Sequence, residues 1–487
     1  MDLELGLDPD DAARLPRLAF LKPLRAGKAR SRAIRIVWHD DPDGTLAGEG
    51  RIVAEQRPGW RLERSQPDGE PWAPGAPAPV LAQGRDAASL GPVLPDRLVP
   101  QAAFEGRALS LKMNSSHGPV ELTLLNGAVR TLTAERRVSR IQFSGEEPAV
   151  LALALQFAGE LAVAVPSASL AAEAIAVTRG VAPGPRRAGA PELPPALSVA
   201  DAFGFVVGHL TDVILYLAPS AADGRGGPEP VHQMRVAVRR LRSAIKVFRR
   251  AVGCPSVDVV DAGLKALAMR LAPTRDWDVF TTETGAKVVA ALPNAEKLRR
   301  LLAAAERRRL ACHAELRRYL QSVEFRRLGI ELACLAGGDG WQATLGEAEQ
   351  AALGTALNDF AGHVLSRRLK RLAQRGDDIA DLEPAALHGI RLSAKRVRYA
   401  AEIFAPLYPG KASARFIRRL TTLQNRLGSL NDGAVAETLL GELTGTSGRQ
   451  AFASGLVLGF IAARSGRARE RIARAWRDFH RLTPFWE

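Results

Sequence analysis

Two segments of the sequence carry the same run of cations, VHQMRVAVRRLRSAIKVF from Val231 and LHGIRLSAKRVRYAAEIF from Leu387. On a helix turning about 100° per residue, His232, Arg235, Arg239, Arg242 and Lys246 fall within an arc of roughly 80°. His388, Arg391, Lys395 and Arg398 repeat the first four, and Arg240 and Arg396 ride beside the stripes. Neither stripe holds a balancing acid through Arg242 or Arg398. Like charges three and four residues apart repel by some tenths of a kcal/mol per pair, unless an anion occupies the face. Guanidinium forks grip phosphate oxygens two at a time, and an imidazole at the head of each stripe can donate to a third, the anion favouring the protonated ring. A metal site built from His232, His388, Asp276 and Asp432 lacks any HxxxH or HxH pair. No metal and no cofactor is expected. Asp276 and Asp432, with Arg270 and Arg426, are read as supporting residues that orient the arginines.

The elements that must position these groups repeat as well. An offset of 156 residues aligns both segments without a gap, making His232/His388, Arg235/Arg391, Arg240/Arg396, Arg242/Arg398 and Phe248/Phe404 identical. It then pairs Leu264/Leu420, Leu267/Leu423, Arg270/Arg426, Leu271/Leu427 and Asp276/Asp432. Opposite each stripe runs an apolar face: Met234, Ala237, Val238, Leu241, Ala244, Ile245 and Phe248 in one copy; Ile390, Ala394, Val397, Ala401 and Phe404 in the other. Two copies of one helical unit follow, related by a pseudo-two-fold axis.

Over the whole chain, 487 residues suggest two to four domains at roughly 100–200 residues each. The net charge of +15 is uneven: residues 1–200 hold 23 basic and 23 acidic side chains, so the excess lies beyond them. VAPGPRRAGAPELPPAL from Val181 breaks regular structure and predicts a boundary, with domains at 1–182 and 198–487 and a linker at 183–197. Before it, short alternating runs predict strands: LEL near Leu3, Ala33–Trp38, and runs flanking turns at Pro58-Gly59 and Asn126-Gly127. Helix is expected there only at Asp10–Leu18 and Pro148–Val163. After the linker the period becomes helical, with Pro255, Pro273, Pro293 and Pro384 as stops. Cys254, Cys312 and Cys334 form no CxxC and suit a reducing compartment. The acidic start does not read as a secretory signal, and the apolar runs before Glu160 and Arg464 fall short of a membrane span, so a cytoplasmic protein is expected.

The two repeats, together with LAPTRDWDVF, LQNRLGSLND and the terminal PFW, resemble the CHAD domain, the conserved histidine alpha-helical domain, over residues 198–487. The resemblance implies an all-α domain of two pseudo-symmetric four-helix bundles. It also implies binding of inorganic polyphosphate, recruitment to polyphosphate granules with granule-associated proteins as partners, and no catalysis.

Residues 1–182 resemble in outline a CYTH domain, an antiparallel β-barrel forming a triphosphate tunnel, so the whole is an α+β two-domain chain. Asp40-Asp41-Pro42-Asp43-Gly44-Thr45-Leu46 is similar to the family's D-T-P-D-x-x-L, and Thr178-Arg179-Gly180 sits where its last strand ends. The Glu-x-Glu-x-Lys opening strand reads Asp2, Glu4 and Gly6, and the late glutamate strand reads Arg140-Ile-Gln-Phe-Ser144. Paired carboxylates hold Mg²⁺ or Mn²⁺ against a triphosphate, so their loss makes the tunnel a degenerate one. The leading expectation is a non-enzymatic polyphosphate binder. One rival is a metal-dependent triphosphatase carrying a granule-targeting domain. The other, a nucleic-acid binder, draws on the sequence pI of about 10.4 and the arginine-rich stretch Arg464–Arg481. The stripes lack interleaved aromatics and base-reading Asn or Gln, which weighs against it.

Overall fold

The computed structural model describes residues 1–65, 73–91, 97–180, 189, 191–194, 196–292, 295–376, 379, 381–444, 451–464 and 468–487. The expected linker 183–197 lies largely outside them, as does Pro293. Eight strands form the N-terminal part: β1 (Asp2–Leu7), β2 (Arg30–Asp40), β3 (Arg51–Gln56), β4 (Gly59–Arg64), β5 (Val80–Gly84), β6 (Val99–Ser115), β7 (Gly118–Arg130) and β8 (Glu135–Gly145). They make one antiparallel sheet in the order β1-β8-β7-β6-β2-β3-β4-β5. Among the described residues β1 and β5 do not pair, so the expected barrel is a curled half-barrel rather than a closed ring. Four helices accompany it: α1 (Pro9–Arg14), α2 (Thr45–Gly48), α3 (Glu147–Glu160) and α4 (Leu170–Arg179).

Several local expectations are corrected. Asn126-Gly127 is not a turn but lies inside β7, opposite Arg107 and Gly106. The backbones approach so closely that a Cβ on Gly127 would stand 2.3 Å from the Glu105 carbonyl oxygen, which only glycine permits. Thr178 and Arg179 end helix α4, capped by Gly180 at φ 62°, and not a strand. The DDPDGTL segment is a helix start: the buried Asp40 carboxylate accepts backbone N–H bonds from Asp41, Leu46 and Ala47 at 2.8–2.9 Å.

The rest is helical: α5 (Val199–Asp223), α6 (Glu229–Val252), α7 (Pro255–Val279), α8 (Ala286–Ala291), α9 (Glu296–Leu320), α10 (Val323–Gly337), α11 (Glu347–Leu353), α12 (Leu357–Ala373), α13 (Pro384–Phe404), α14 (Lys411–Thr444), α15 (Ala451–Arg464) and α16 (Ala468–His480). Pro255 and Pro384 open helices in the first turn, where the missing N–H costs nothing, and α7 runs through Pro273; none is a stop. Helices α5, α6, α7 and α10 pack as one bundle, α12, α13, α14 and α16 as another, with α6 against α13 between them. Every residue assigned to the two apolar faces is buried. The repeat-equivalent Phe248 and Phe404 touch each other, ring centroids 5.7 Å apart, as equivalent residues do when they lie beside a two-fold axis. Helix α5 is long and apolar enough by composition to cross a membrane, a stretch the sequence reading passed over; most of it is buried in the first bundle.

The two parts share a core. Ile330, Ala333 and Cys334 of α10 pack with Leu153, Ala154 and Phe157 of α3. Polar clasps flank this contact: the Gly340 N–H donates to Glu147 at 2.8 Å, and Arg326 donates to the Ala158 carbonyl at 3.1 Å.

Candidate anion site

The α6 and α13 stripes meet, and at their junction the cations are not neutralised evenly. Lys395 is half-buried, with Arg239, Arg391, Arg235 and Arg398 all close enough to oppose its charge. Burial first, and then these four arginines, hold its ammonium down at about 7. His232 is likewise held below the usual histidine value, first by burial and then by Arg275, Arg239 and Arg235, with Glu229 opposing. Burial also lowers Arg235, against the pull of Asp276 at 3.6 Å. Asp276, expected as a supporting residue, thus lies beside Arg235. Its own carboxyl is raised by burial, in spite of Arg235 and Arg275. Among the described residues no carboxylate stands within ion-pair distance of Arg239, Arg391 or Lys395.

Other members of the stripes are spoken for. Arg242 donates through Nε to Asp261 at 2.8 Å, an acid from α7 that inspection of the stripe alone could not supply. Glu402 holds Arg398 at 2.8 Å from one side and Arg240 at 3.0 Å from the other, and Arg398 also donates to Gln424 at 2.9 Å. The stripes are therefore balanced in part, by acids arriving from other helices and, for Arg398, by Glu402 one turn further along its own helix. Lys246 and Arg396 face a different cavity, shared with α12. His388 is exposed, one turn before Arg391. Of the other supporting residues, Arg270 is exposed and near Tyr319, Arg426 is exposed, and the side chain of Asp432 lies outside the described residues. The eleven expected cations do not form one surface. The structure gathers His232, Arg235, Arg239, Arg391, Lys395 and Arg398, and separates the rest.

Three members went unread. Arg275 sits in the quoted RDWDVF motif and adds a further positive charge beside His232. Gln424 could be found only through packing. Tyr399 is buried, with the Arg398 and Arg239 guanidinium carbons 4.9 and 5.6 Å from its ring centre. It is an aromatic within the stripes, yet its faces are covered by arginine and cannot stack on a base. Asp278, two residues beyond Asp276, is wholly buried and braces α7 to α9 through His313 at 2.9 Å and Arg309 at 3.1 Å.

In the N-terminal sheet Arg140, Glu4 and Glu63 are buried charges with partners of opposite sign. Arg140 lies 3.2 Å from Glu4 and 2.8 Å from Glu173. Its guanidinium fills the space that Gly6 leaves open: a Cβ at position 6 would come within 2.5 Å of Arg140 Nη1. A second buried carboxylate, Glu63, is matched by Arg61 at 3.1 Å, and burial pushes its carboxyl up. Among the described residues no three His, Cys, Asp or Glu side chains converge as a metal site would require. The residues present do not fit the cation of a triphosphate tunnel, because arginine stands among the carboxylates that would bind it.

Two helical bundles, joined where their repeated helices bring histidine, arginine and lysine together, define the class of domain. Residues 206–441 match the family model of the CHAD domain, so the chain carries that domain. The CHAD domain from the plant Ricinus communis is 28% identical, with a TM-score of 0.53 over 62% of this chain and 98% of that one. PptA from Streptomyces chartreusis is 16% identical, with a TM-score of 0.44 over 58% of this chain and 100% of that one. A Hippeastrum protein named as an adenylyl cyclase and described by a dominant triphosphatase activity is 14% identical, with a TM-score of 0.26 over 37% of this chain and 96% of that one. No curated protein matches the chain.

Proposed function

We propose that the protein binds inorganic polyphosphate at the junction of α6 and α13, and that this holds it on polyphosphate granules in the cytoplasm. The observation that carries the reading is Lys395, which stands among four arginines with no carboxylate within ion-pair distance among the described residues; of the four, Arg239 and Arg391 likewise have none, while Arg235 and Arg398 are paired. Such a cluster is a standing repulsion until an anion of high charge density enters, and phosphates in series supply that density without bases or sugars to accommodate. The covered faces of Tyr399 favour polyphosphate over nucleic acid. The full chain should therefore bind long-chain polyphosphate at least tenfold more tightly than duplex DNA or RNA, titrated at equal phosphate concentration and equal salt. Equal affinities would dismiss the reading in favour of charge-driven nucleic-acid binding.

On the same reading the N-terminal sheet is a scaffold and not a hydrolase. The Arg140 guanidinium already stands between Glu4 and Glu173, so this pair is not free to take a divalent cation. Given tripolyphosphate or ATP with Mg²⁺ or Mn²⁺, the full chain should release no orthophosphate. Metal-dependent release that disappears in Glu4→Gln would restore the triphosphatase alternative.

A further inference from the structure

We infer a second oligophosphate site, separate from the Lys395 cluster, in the cleft where α12 lies against α6 and α13. It takes from the proposed function only the class of ligand. The cleft encloses about 470 Å³ and is lined by Lys246, Arg367, Arg368, Arg371, Arg375 and Arg396, with no carboxylate among its described lining residues; Asp377 and Asp378 lie outside the described residues.

Two of these cations are fixed in place. Arg368 donates from Nη1 to the Arg396 carbonyl at 2.8 Å and from Nη2 to the Lys246 carbonyl at 2.9 Å, tying the three helices together. Arg375 donates to Ser393 at 2.9 Å. The other four, Lys246, Arg367, Arg371 and Arg396, are exposed and have no ion-pair partner among the described residues. Burial, and then Arg367, Arg396 and Arg371, hold the Arg368 guanidinium down at about 10. A tethered central cation with exposed ones around it suits a compact ligand that presents several phosphate oxygens at once.

The internal repeat shows that this charge is not needed by the helix pair. The 156-residue offset carries Arg240 onto Arg396 and Glu402 onto Lys246. On one side of the pseudo-two-fold, Arg240 and Glu402 close an ion pair at 3.0 Å. On the other side the equivalent pair is two cations opening on the cleft. A merely structural contact would keep the carboxylate; replacing it with lysine creates repulsion that an anion relieves. The cleft's size is that of a small-molecule site, which fits a few linked phosphates and excludes a nucleic-acid duplex. Those phosphates could belong to a free oligophosphate or to a stretch of a longer chain.

Lys246→Glu restores to the first repeat the residue that the second one has, at an exposed position where folding is not at stake. Calorimetric titration of the full chain with tripolyphosphate should find two sites. Lys246→Glu should weaken one of them at least tenfold, Arg371→Ala should weaken the same one, and Arg239→Ala/Lys395→Ala should spare it. If Lys246→Glu also weakens long-chain polyphosphate binding, the cleft takes part of the chain; if only tripolyphosphate binding suffers, it takes a free oligophosphate; either result upholds the site. Unchanged tripolyphosphate binding in both Lys246→Glu and Arg371→Ala would overturn it, as would loss of all binding in Arg239→Ala/Lys395→Ala. Failure of the cluster itself would be seen separately, as unaltered polyphosphate binding in the Arg239→Ala/Lys395→Ala protein.

Discussion

Replacing Lys395 with methionine should stabilise the ligand-free protein at neutral pH by roughly 2 kcal/mol and weaken polyphosphate binding by at least about tenfold. The lysine is held near 7 against an ordinary value of 10.5, chiefly by burial and then by Arg239, Arg391, Arg235 and Arg398. In the unfolded chain it stays protonated up to its ordinary value, whereas the folded protein releases the proton near 7. Between those limits the unfolded state binds more protons, so stability rises with pH, and below 7 the whole penalty is present. At about 1.4 kcal/mol per pH unit, and after discounting for the part of the side chain that solvent still screens, the penalty comes to roughly 2–4 kcal/mol. Urea unfolding at pH 7 and pH 10 should show the wild type gaining on the methionine variant as pH rises. Curves that stay parallel, with no advantage to methionine at pH 7, would mean that the lysine carries no strain.

Ligand reverses that balance. Phosphate oxygens beside Lys395 favour its protonated form, so binding takes up a proton and affinity falls as pH climbs from 7 to 9. Lys395→Arg, charged throughout this range, should flatten the fall while retaining affinity. His232, also lowered by burial and by Arg275, Arg239 and Arg235, adds a decline of the same sign at lower pH, which His232→Gln should remove.

Which of these features could be read in advance follows from where each is encoded. The α6 and α13 faces lie in the spacing of residues along one helix, so the apolar sets through Phe248 and Phe404 and the stripes opposite were legible, and the 156-residue repeat placed the two copies together. Partners arriving from other helices leave no local trace. Asp261 captures Arg242, Glu402 captures Arg240, and Lys246 and Arg396 open on a separate cleft that α12 closes with further arginines. The N-terminal part shows the same limit. Asn126-Gly127 carries a strong turn signal, but the long ladder between β6 and β7 overrides it and uses the glycine for close backbone approach. That Gly6 breaks the charge alternation of β1 was visible, while the Arg140 guanidinium that fills its space from the neighbouring strand emerged only from the β1 and β8 register.

The central claim is that a defined cluster, and not overall basicity, binds the polyanion. Affinity for long-chain polyphosphate, measured against salt for three full-length proteins, tests it most directly: the wild type, Arg391→Ala/Lys395→Ala, and Arg474→Ala/Arg477→Ala. Below pH 7, where Lys395 is protonated, both double variants remove two positive charges; the second takes them from exposed positions on α16, far along the chain from the cluster. Counterion release makes log affinity fall with log salt in proportion to the contacts made. The cluster pair should lose roughly thirtyfold or more near 0.1 M salt, with a slope shallower by about one to two, while the α16 pair stays close to wild type. Equal losses from the two pairs would show that binding follows net charge alone, and would contradict the account.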